Sequence, residues 1–525
     1  MQIEWSEKYQ RFYAVMDYSN FDQEKESLKG AGFKFNWENK RWETNQHQIA
    51  KKFLYNCTTS AMDAIQKLES KTKENLIKSL STTTTFEPKH PFGLEYFPFQ
   101  KAGIEGAIGD HNVFLVYEPG LGKTIMAIGM INELHPDSVL IVCRTNDIRS
   151  VWLDMLKQWL IYPYDISVVS QTHKLSSITI IGYDMVAKMQ GLLLTKKWDI
   201  MILDESHYIK NYKTKRSHAV REIAKSAKKK VAMTGSPALR RPWDIWNQLR
   251  YLEHYLGNNW KLFMDNFAEQ DFFGNYIKGK NIPQLQKILR ESGIYFSQTK
   301  ADVLPELPKK IRQVLVIPNT LSKSETLKHD DIIRKYFSLE ETVANIDSIK
   351  IPFEEFAPLR HEIGIKKVPF VIDHVENLLE EEDKIVIFAH HHDVMNALYE
   401  HFKNISVFIN GETPMNKRPD IISRFQNDPA VRLFIGSIET SGMGITLTSS
   451  ACVVFAEFDP TAEIMNQCED RLHRIGQKDT VLVHHIVMEN TVDARITRII
   501  VDKQSEMEQL KKKDYLVGLH DEVIS

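Results

Sequence analysis

The sequence predicts an α/β protein: two doubly wound parallel-sheet lobes with a helical insertion between them, preceded by a small α+β module. Three observations carry this expectation. An apolar run, Val113–Tyr117, passes through a glycine-rich turn, Glu118-Pro119-Gly120-Leu121-Gly122-Lys123-Thr124, into apolar residues at helical spacing (Ile125, Met126, Ile128, Ile131, Leu134). Apolar strands and helical patterns alternate over residues 91–255, as in strands joined by crossover helices. The alternation lapses over 256–365 and resumes over 366–500.

Composition sets the bounds. A chain of 525 residues has room for roughly three to four domains. A net charge of −2 means no global basic field, so contact with a polyanion must come from local patches. The four cysteines (Cys57, Cys143, Cys452, Cys468) are scattered without a CxxC pair, which speaks against a zinc cage or a disulfide framework and fits a reducing compartment. The N-terminus lacks a basic-then-apolar leader pattern, and no apolar run approaches the ~18 residues that span a bilayer. A soluble, cytoplasmic protein without membrane contact is expected.

Residues 1–60 form the small module. In Ala31–Trp42, Phe33, Phe35 and Trp37 alternate at period two and Glu38-Asn39 marks a turn, the pattern of a hairpin. Lys34, Lys40 and Arg41 lie between the aromatics, an interleaving that suits bases and phosphates but equally a small core with a solvated face. Nine Lys/Arg against eight Asp/Glu in this segment give nucleic acid little electrostatic support. Residues 61–90 begin as a helix, Ala61–Leu80, and end in Ser81-Thr82-Thr83-Thr84-Thr85 with Pro88 and Pro91 beyond, a linker composition.

Residues 91–255 read as the first lobe, with strands at 113–117, 138–143, 166–170, 177–181, 199–203 and 230–233. Ligands in such sheets sit at the carboxyl ends of strands, where the glycine loop falls. Gly120 and Gly122 let backbone N–H groups close around phosphate oxygens, Lys123 reaches the β- and γ-phosphates, and the Thr124 hydroxyl suits Mg²⁺. Tyr117 stands where the loop pattern usually opens with glycine, so the alternative is a structural turn. Asp204-Glu205-Ser206-His207 ends the apolar run Ile200–Leu203. A strand-end Asp204 can hold Mg²⁺, and Glu205 can orient and deprotonate an attacking water; the alternative is a helix cap or solvated turn. Thr234-Gly235-Ser236-Pro237-Ala238-Leu239 is a tight turn at the same sheet edge, and Gln100, upstream, can read adenine through its amide.

Residues 256–365 are expected to be a helical insertion, with Pro305 and Pro308 stiffening the connection onward. In the second lobe, residues 366–500, Lys384–Ala389, Val431–Ile435 and Cys452–Phe455 read as strands, and a helix starts at Asp393. His390-His391-His392 tempts a metal assignment, but consecutive residues cannot all face one ion, so no metal is expected there. On a helix, Gln467, Arg471 and Arg474 would share one face, which suits a γ-phosphate approached from the second lobe; the alternative is a salt-bridged surface involving Glu469 and Asp470. Residues 501–525 read as a charged helix or tail ending near Lys511-Lys512-Lys513.

The segments EPGLGKT, DESH, TGSPALRRP, VIFAHHHDV, SIETSGMGITL and QCEDRLHRIGQ, in this order, resemble the Swi/Snf family of superfamily-two ATPases. DESH, FAHH and CEDRLHRIGQ look most like the HARP-domain annealing helicases that remodel replication forks, and AGFKFNWENKRWET is similar to the HARP-type module. The compact length suggests a bacterial or phage version. The resemblance implies two RecA-like lobes with ATP and Mg²⁺ between them, held by Lys123, Thr124, Asp204 and Glu205, with Gln100 on adenine and Arg471 and Arg474 as arginine fingers. It adds Gln467, Gly442 and Gly444 near the nucleotide. It also implies a DNA-dependent ATPase tracking duplex or forked DNA through its phosphates, acting as a translocase. A strand-separating DNA or RNA helicase, and a non-catalytic clamp that uses ATP as a switch, remain the rival readings.

Overall fold

The computed structural model describes residues 1–16, 20–44, 47–109, 111–145, 147–169, 174–235, 242–270, 276–336, 353–414, 416–438, 445–459, 462–498, 500–501 and 504. The chain divides into two compact units. One holds residues 1–81 and 283–295; the other holds 82–282 and the described residues from 296 onward.

The first unit is built on a four-stranded antiparallel sheet of β1 (Gln2–Ser6), β2 (Arg11–Val15), β3 (Lys34–Asn36) and β4 (Arg41–Thr44), in the order β1-β2-β4-β3. The expected hairpin is the β3–β4 pair. Its turn is held by the Asn36 side-chain oxygen, which accepts from the backbone N–H groups of Glu38 and Asn39. Ile3, Phe12, Leu28 and Phe33 form the core with Ala61 and Ile65 of the helix Thr59–Leu80, whose N-terminus is capped by the Thr58 hydroxyl. Phe33 is buried and Trp37 is 82% exposed, so the aromatics split between core and surface. Arg41 is ion-paired to the buried Glu43 and lies 3.9 Å from the Tyr13 ring centroid.

The second unit contains both lobes. The first sheet has the order β13-β5-β10-β9-β6-β8-β7, from β5 (Val113–Tyr117), β6 (Val139–Cys143), β7 (Ile166–Val168), β8 (Ile178–Gly182), β9 (Trp198–Leu203), β10 (Ala227–Met233) and β13 (Tyr295–Gln298). The pairs from β5 through β7 are parallel. β5, β6 and β8 are buried along their whole length, as strands covered by helices on both faces must be. Beyond β10 come a two-stranded antiparallel pair, β11 (Ala268–Gln270) and β12 (Tyr276–Gly279), and several helices.

The second sheet is parallel throughout, in the order β14-β19-β18-β15-β17-β16, from β14 (Lys310–Ile317), β15 (Ile385–Ala389), β16 (Ser406–Ile409), β17 (Leu433–Ser437), β18 (Cys452–Phe455) and β19 (Val481–Met488). Its apolar residues pack into a cluster on each face, one around Phe388, Phe425 and Phe455, the other around Val371, Ile387 and Val454.

The stretch expected as a helical insertion departs from that reading. Besides helices such as Trp260–Phe267 and Phe353–Leu378, it contributes β13 to the first sheet and β14 to the second. The physical reason is long-range pairing: all eight residues of β14 are in register with β19, a partner far along the chain. The segment between these strands, with Pro305 and Pro308, therefore runs from the edge of one sheet to the edge of the other.

Candidate functional site

The site starts at the carboxyl end of β5. Gly120 (φ +89°) and Gly122 (φ +81°) take left-handed backbone conformations that side chains resist, which turns the loop tightly into the helix Lys123–Leu134. Lys123 is 9% exposed, and its ammonium donates to the Tyr117 carbonyl at 2.8 Å, back across the loop. Tyr117 itself is buried in the lobe core. Position 117 thus presents its backbone to the loop, and a large side chain is accommodated where the pattern usually has glycine. Thr124 is the second residue of the helix.

Gln100 lies in the helix Pro98–Ala107 and is 2% exposed. Its oxygen accepts from the Phe97 N–H at 3.0 Å and its Nε2 donates to the Leu121 carbonyl at 3.1 Å. A Cβ on Gly122 would fall 2.4 Å from that Nε2. Gln100 therefore braces the glycine loop from behind.

Asp204 follows β9 and is 7% exposed. One carboxylate oxygen accepts from the indole Nε1 of fully buried Trp152 at 2.9 Å, the other from the Glu205 N–H at 3.0 Å, and its carbonyl accepts from the Tyr183 hydroxyl at 2.9 Å. Glu205 adopts a left-handed conformation (φ +49°), uncommon for a side-chain-bearing residue, and its carboxylate lies 3.3 Å from His207 Nδ1. Burial, then the neighbouring Glu205 and Asp147, push the Asp204 carboxyl well above its ordinary range, against Trp152 and Lys123. Burial acts on Glu205 in the same sense, but His207, Lys123 and Arg144 together outweigh it and hold that carboxyl below its ordinary range.

Across the cleft, the second lobe presents Arg471 and Arg474. The shared helical face expected for them with Gln467 is not formed. The helix Ala462–Glu469 carries half-buried Gln467 and stops before either arginine, and residues 470–476 are turns and bends. The Arg471 carbonyl accepts from the Leu447 N–H at 2.9 Å instead of continuing the helix, and Gly476 (φ +99°) completes the turn. The arginines nevertheless converge on the cleft. Arg474 donates to the Thr446 hydroxyl at 2.9 Å, and its Cβ lies 3.2 Å from where a Cβ on Gly120 would stand. Burial, with Arg474 and Arg144 nearby, pushes the Arg471 guanidinium down to about 10, and the attraction of Asp147 opposes this. Asp147 is held by Arg144 in a two-pronged ion pair at 2.7 and 3.0 Å.

Of the expected site residues, the structure brings Gly120, Gly122, Lys123, Asp204, Glu205, Arg471 and Arg474 to one cleft, with Gln100 buried behind the glycine loop. Gly442 and Gly444, like Ser236–Leu239, lie outside the described residues. Trp152, Tyr183, Arg144, Asp147 and Lys300 are further cleft residues that the sequence did not reveal. A glycine loop with an ammonium, a hydroxyl beside it, two carboxylates at a strand end and two guanidinium groups opposite is a donor set that fits a nucleoside triphosphate with a hard divalent cation.

A family described as the SNF2-related domain matches residues 36–354, and one described as the helicase conserved C-terminal domain matches residues 367–476. Among curated relatives, the chain is 30% identical over 425 residues to the DNA annealing helicase and endonuclease ZRANB3 of Bos taurus, a match covering 75% of this chain and 38% of that protein. It is 28% identical over 432 residues to a SWI/SNF-related matrix-associated actin-dependent regulator of chromatin subfamily A-like protein 1 homolog of Caenorhabditis elegans, covering 79% of this chain and 61% of that protein. The chain thus spans less than two thirds of the length of these relatives. Among solved structures, the Sulfolobus solfataricus SWI2/SNF2 ATPase core in complex with dsDNA matches with 23% identity and a TM-score of 0.40, covering 81% of this chain and 94% of that one.

Proposed function

The chain belongs to the SNF2-related family, and from that premise we propose that it is a DNA-dependent ATPase that couples ATP hydrolysis to movement along double-stranded DNA, as an annealing helicase acting at forks or junctions. The observation that carries the reading is the meeting of the glycine loop and the arginine segment: Arg474 packs against Gly120, with Asp204 and Glu205 in the same cleft.

In this reading the loop amides and Lys123 hold the phosphates, and Gln100 keeps the loop in shape beside the adenine. Thr124 and Asp204 would hold Mg²⁺, which when bound neutralises phosphate charge and orients the leaving group. Glu205, kept ionised and steered by His207, takes the proton of the attacking water. Arg471 and Arg474 offset the charge that develops on the transferred phosphoryl group. Gln467, Gly442 and Gly444 remain proposed nucleotide neighbours. Closure and reopening of the two lobes around each hydrolysis would shift their grip on DNA phosphates. Duplex or forked DNA is the proposed partner, supported by the family and by the DNA activity in the name of the first relative above.

The test is ATP hydrolysis without nucleic acid and with duplex, forked and single-stranded DNA and RNA, all at one salt concentration because phosphate contacts are salt-dependent. Strong stimulation by duplex or forked DNA supports the translocase. Stimulation by single strands or RNA alone points to a strand-separating helicase, which forked-duplex displacement set against annealing of a melted bubble would identify. Binding without turnover points to a switched clamp.

A further inference from the structure

The segment joining the two sheets does more than connect them. At its start, the Glu118 N–H donates to the Gln298 carbonyl at 3.2 Å and the Glu118 carboxylate accepts from the Lys300 N–H at 2.7 Å, so the first residue of the glycine loop is stitched to this strap. The Lys300 side chain then crosses to the second lobe, where its ammonium donates to Asp470 at 2.8 Å and to the His473 carbonyl. The ammonium has little access to water: Lys300 is 7% exposed, and its Cε lies 3.6 Å from where a Cβ on Gly120 would stand. Further along the strap, the Pro308 carbonyl accepts from the His473 ring at 2.6 Å, and Lys310 pairs with Glu469 at 3.0 Å. Lys300 therefore touches the first residue of the glycine loop through its backbone, and Asp470 and His473 of the arginine-bearing turn through its side chain. A buried ammonium that loses its carboxylate partner is left as an uncompensated charge, so the Lys300–Asp470 pair is costly to break while Lys300 stays buried.

We propose that Lys300 is a positioning residue that registers the arginine-bearing turn against the glycine loop, so that lobe closure delivers Arg471 and Arg474 to the phosphates in one step. This rests on the ATPase reading above for its catalytic consequence, but the registration itself is a property of the lobes. The experiment uses the full chain with Lys300→Met, Asp470→Asn and the double variant. Three quantities are read: kcat and KM for ATP with duplex DNA, equilibrium binding of a fluorescent ADP analogue, and lobe closure. Closure is followed by energy transfer between dyes on Lys228→Cys and Lys403→Cys in a Cys57→Ser background, on adding a non-hydrolysable ATP analogue.

The expected result is a fall in kcat of at least about tenfold in each single variant, the loss characteristic of an interaction made on the way to the transition state, with nucleotide affinity within about threefold of the parent. The double variant should lose less than the product of the single losses, because both remove the Lys300–Asp470 pair, while Asp470 also meets Lys310 at 3.4 Å and Lys300 also meets the His473 carbonyl. The nucleotide-dependent change in energy transfer should shrink in all three. The proposal is overturned if kcat and closure are unchanged in Lys300→Met, or if kcat, affinity and melting temperature fall together and the losses multiply in the double variant. Should Lys300→Met fail to fold, Asp470→Asn, which keeps a hydrogen-bond acceptor and removes the charge, decides by the same readings. If the parent protein hydrolyses no ATP with any nucleic acid, the ATPase reading fails, and the energy-transfer arm still decides the role of Lys300.

Discussion

Replacing Trp152 by Phe removes one hydrogen-bond donor and little else that touches the site. The indole is fully buried and donates to a carboxylate oxygen of Asp204 at 2.9 Å, while Asp204 is 7% exposed, so water cannot readily take the donor's place. A hydrogen bond to a charged group contributes about 1.5–3 kcal/mol, and its loss falls on the ionised, correctly aimed form of Asp204. Since ~1.4 kcal/mol is a factor of ten, the Mg²⁺ concentration for half-maximal turnover should rise roughly ten- to hundredfold. Turnover at saturating Mg²⁺ should recover most of the parental value. The second readout is the thermal shift produced by Mg²⁺ with ADP, whose midpoint should move by the same factor. Trp159→Phe is the control for the cavity left by the indole: Trp159 is also buried, in the same core cluster, and packs on Tyr96. A folded Trp152→Phe protein with the parental Mg²⁺ midpoint in both assays would refute the claim that the indole holds Asp204 in place.

Other perturbations test the remaining parts. Gly120→Ala forces a side chain into a left-handed conformation and against Arg474, so turnover should fall at least about tenfold by ATPase assay, the conformational strain alone being of order 1–3 kcal/mol. Gly30→Ala, where a Cβ meets nothing within 4 Å, should leave turnover at the parental rate. Arg471→Ala should lower kcat by about 10³–10⁵ if it acts as an arginine finger, with nucleotide affinity retained, and Arg471→Lys should not restore it because a point charge does not replace the guanidinium fork. The pH dependence of stability can be read at His485, which stacks on Phe455 and has no hydrogen-bond partner for either ring nitrogen among the described residues. Burial first, with Arg312, Lys367 and His484 adding and Glu469 opposing, pushes its imidazole down to about 4. The unfolded chain then binds more protons between pH 6.5 and 4, so this contribution to stability is full above about 6.5 and is lost as pH falls through 4. His485→Phe should make the melting temperature fall less steeply over that window.

The parts of the site that could be read from the sequence are those whose chemistry needs neighbouring residues. A phosphate loop is a strand end, two glycines, a lysine and a helix start, so β5, the loop and its helix fall where the pattern puts them, and Asp204-Glu205 ends β9 for the same reason. Tyr117 shows what such a pattern specifies: a backbone path with a carbonyl facing Lys123, while the side chain answers to the core behind it. The residues missed are those whose meaning lies in a distant partner. Lys300 reads as one more charge in a proline-flanked stretch, and only Asp470 and His473 give it a place. β14 falls inside the stretch expected as a helical insertion, its alternation matching an exposed edge, and β19 is interrupted on paper by His484 and His485, although both are buried. The arginine segment fails in the opposite way. A local rule, helical spacing, stops applying at Glu469, where the tertiary structure takes over: Lys310 and Arg312 grip Glu469, Lys300 grips Asp470, and Leu447 takes the Arg471 carbonyl. Those are contacts from the strap and from another loop of the second lobe, so the same interactions that end the helix also aim its arginines at the first lobe. Helical periodicity therefore pointed to two arginines that do face the first lobe, but for a geometric reason that does not hold, and the cleft owes their convergence to long-range ion pairing that no local pattern records.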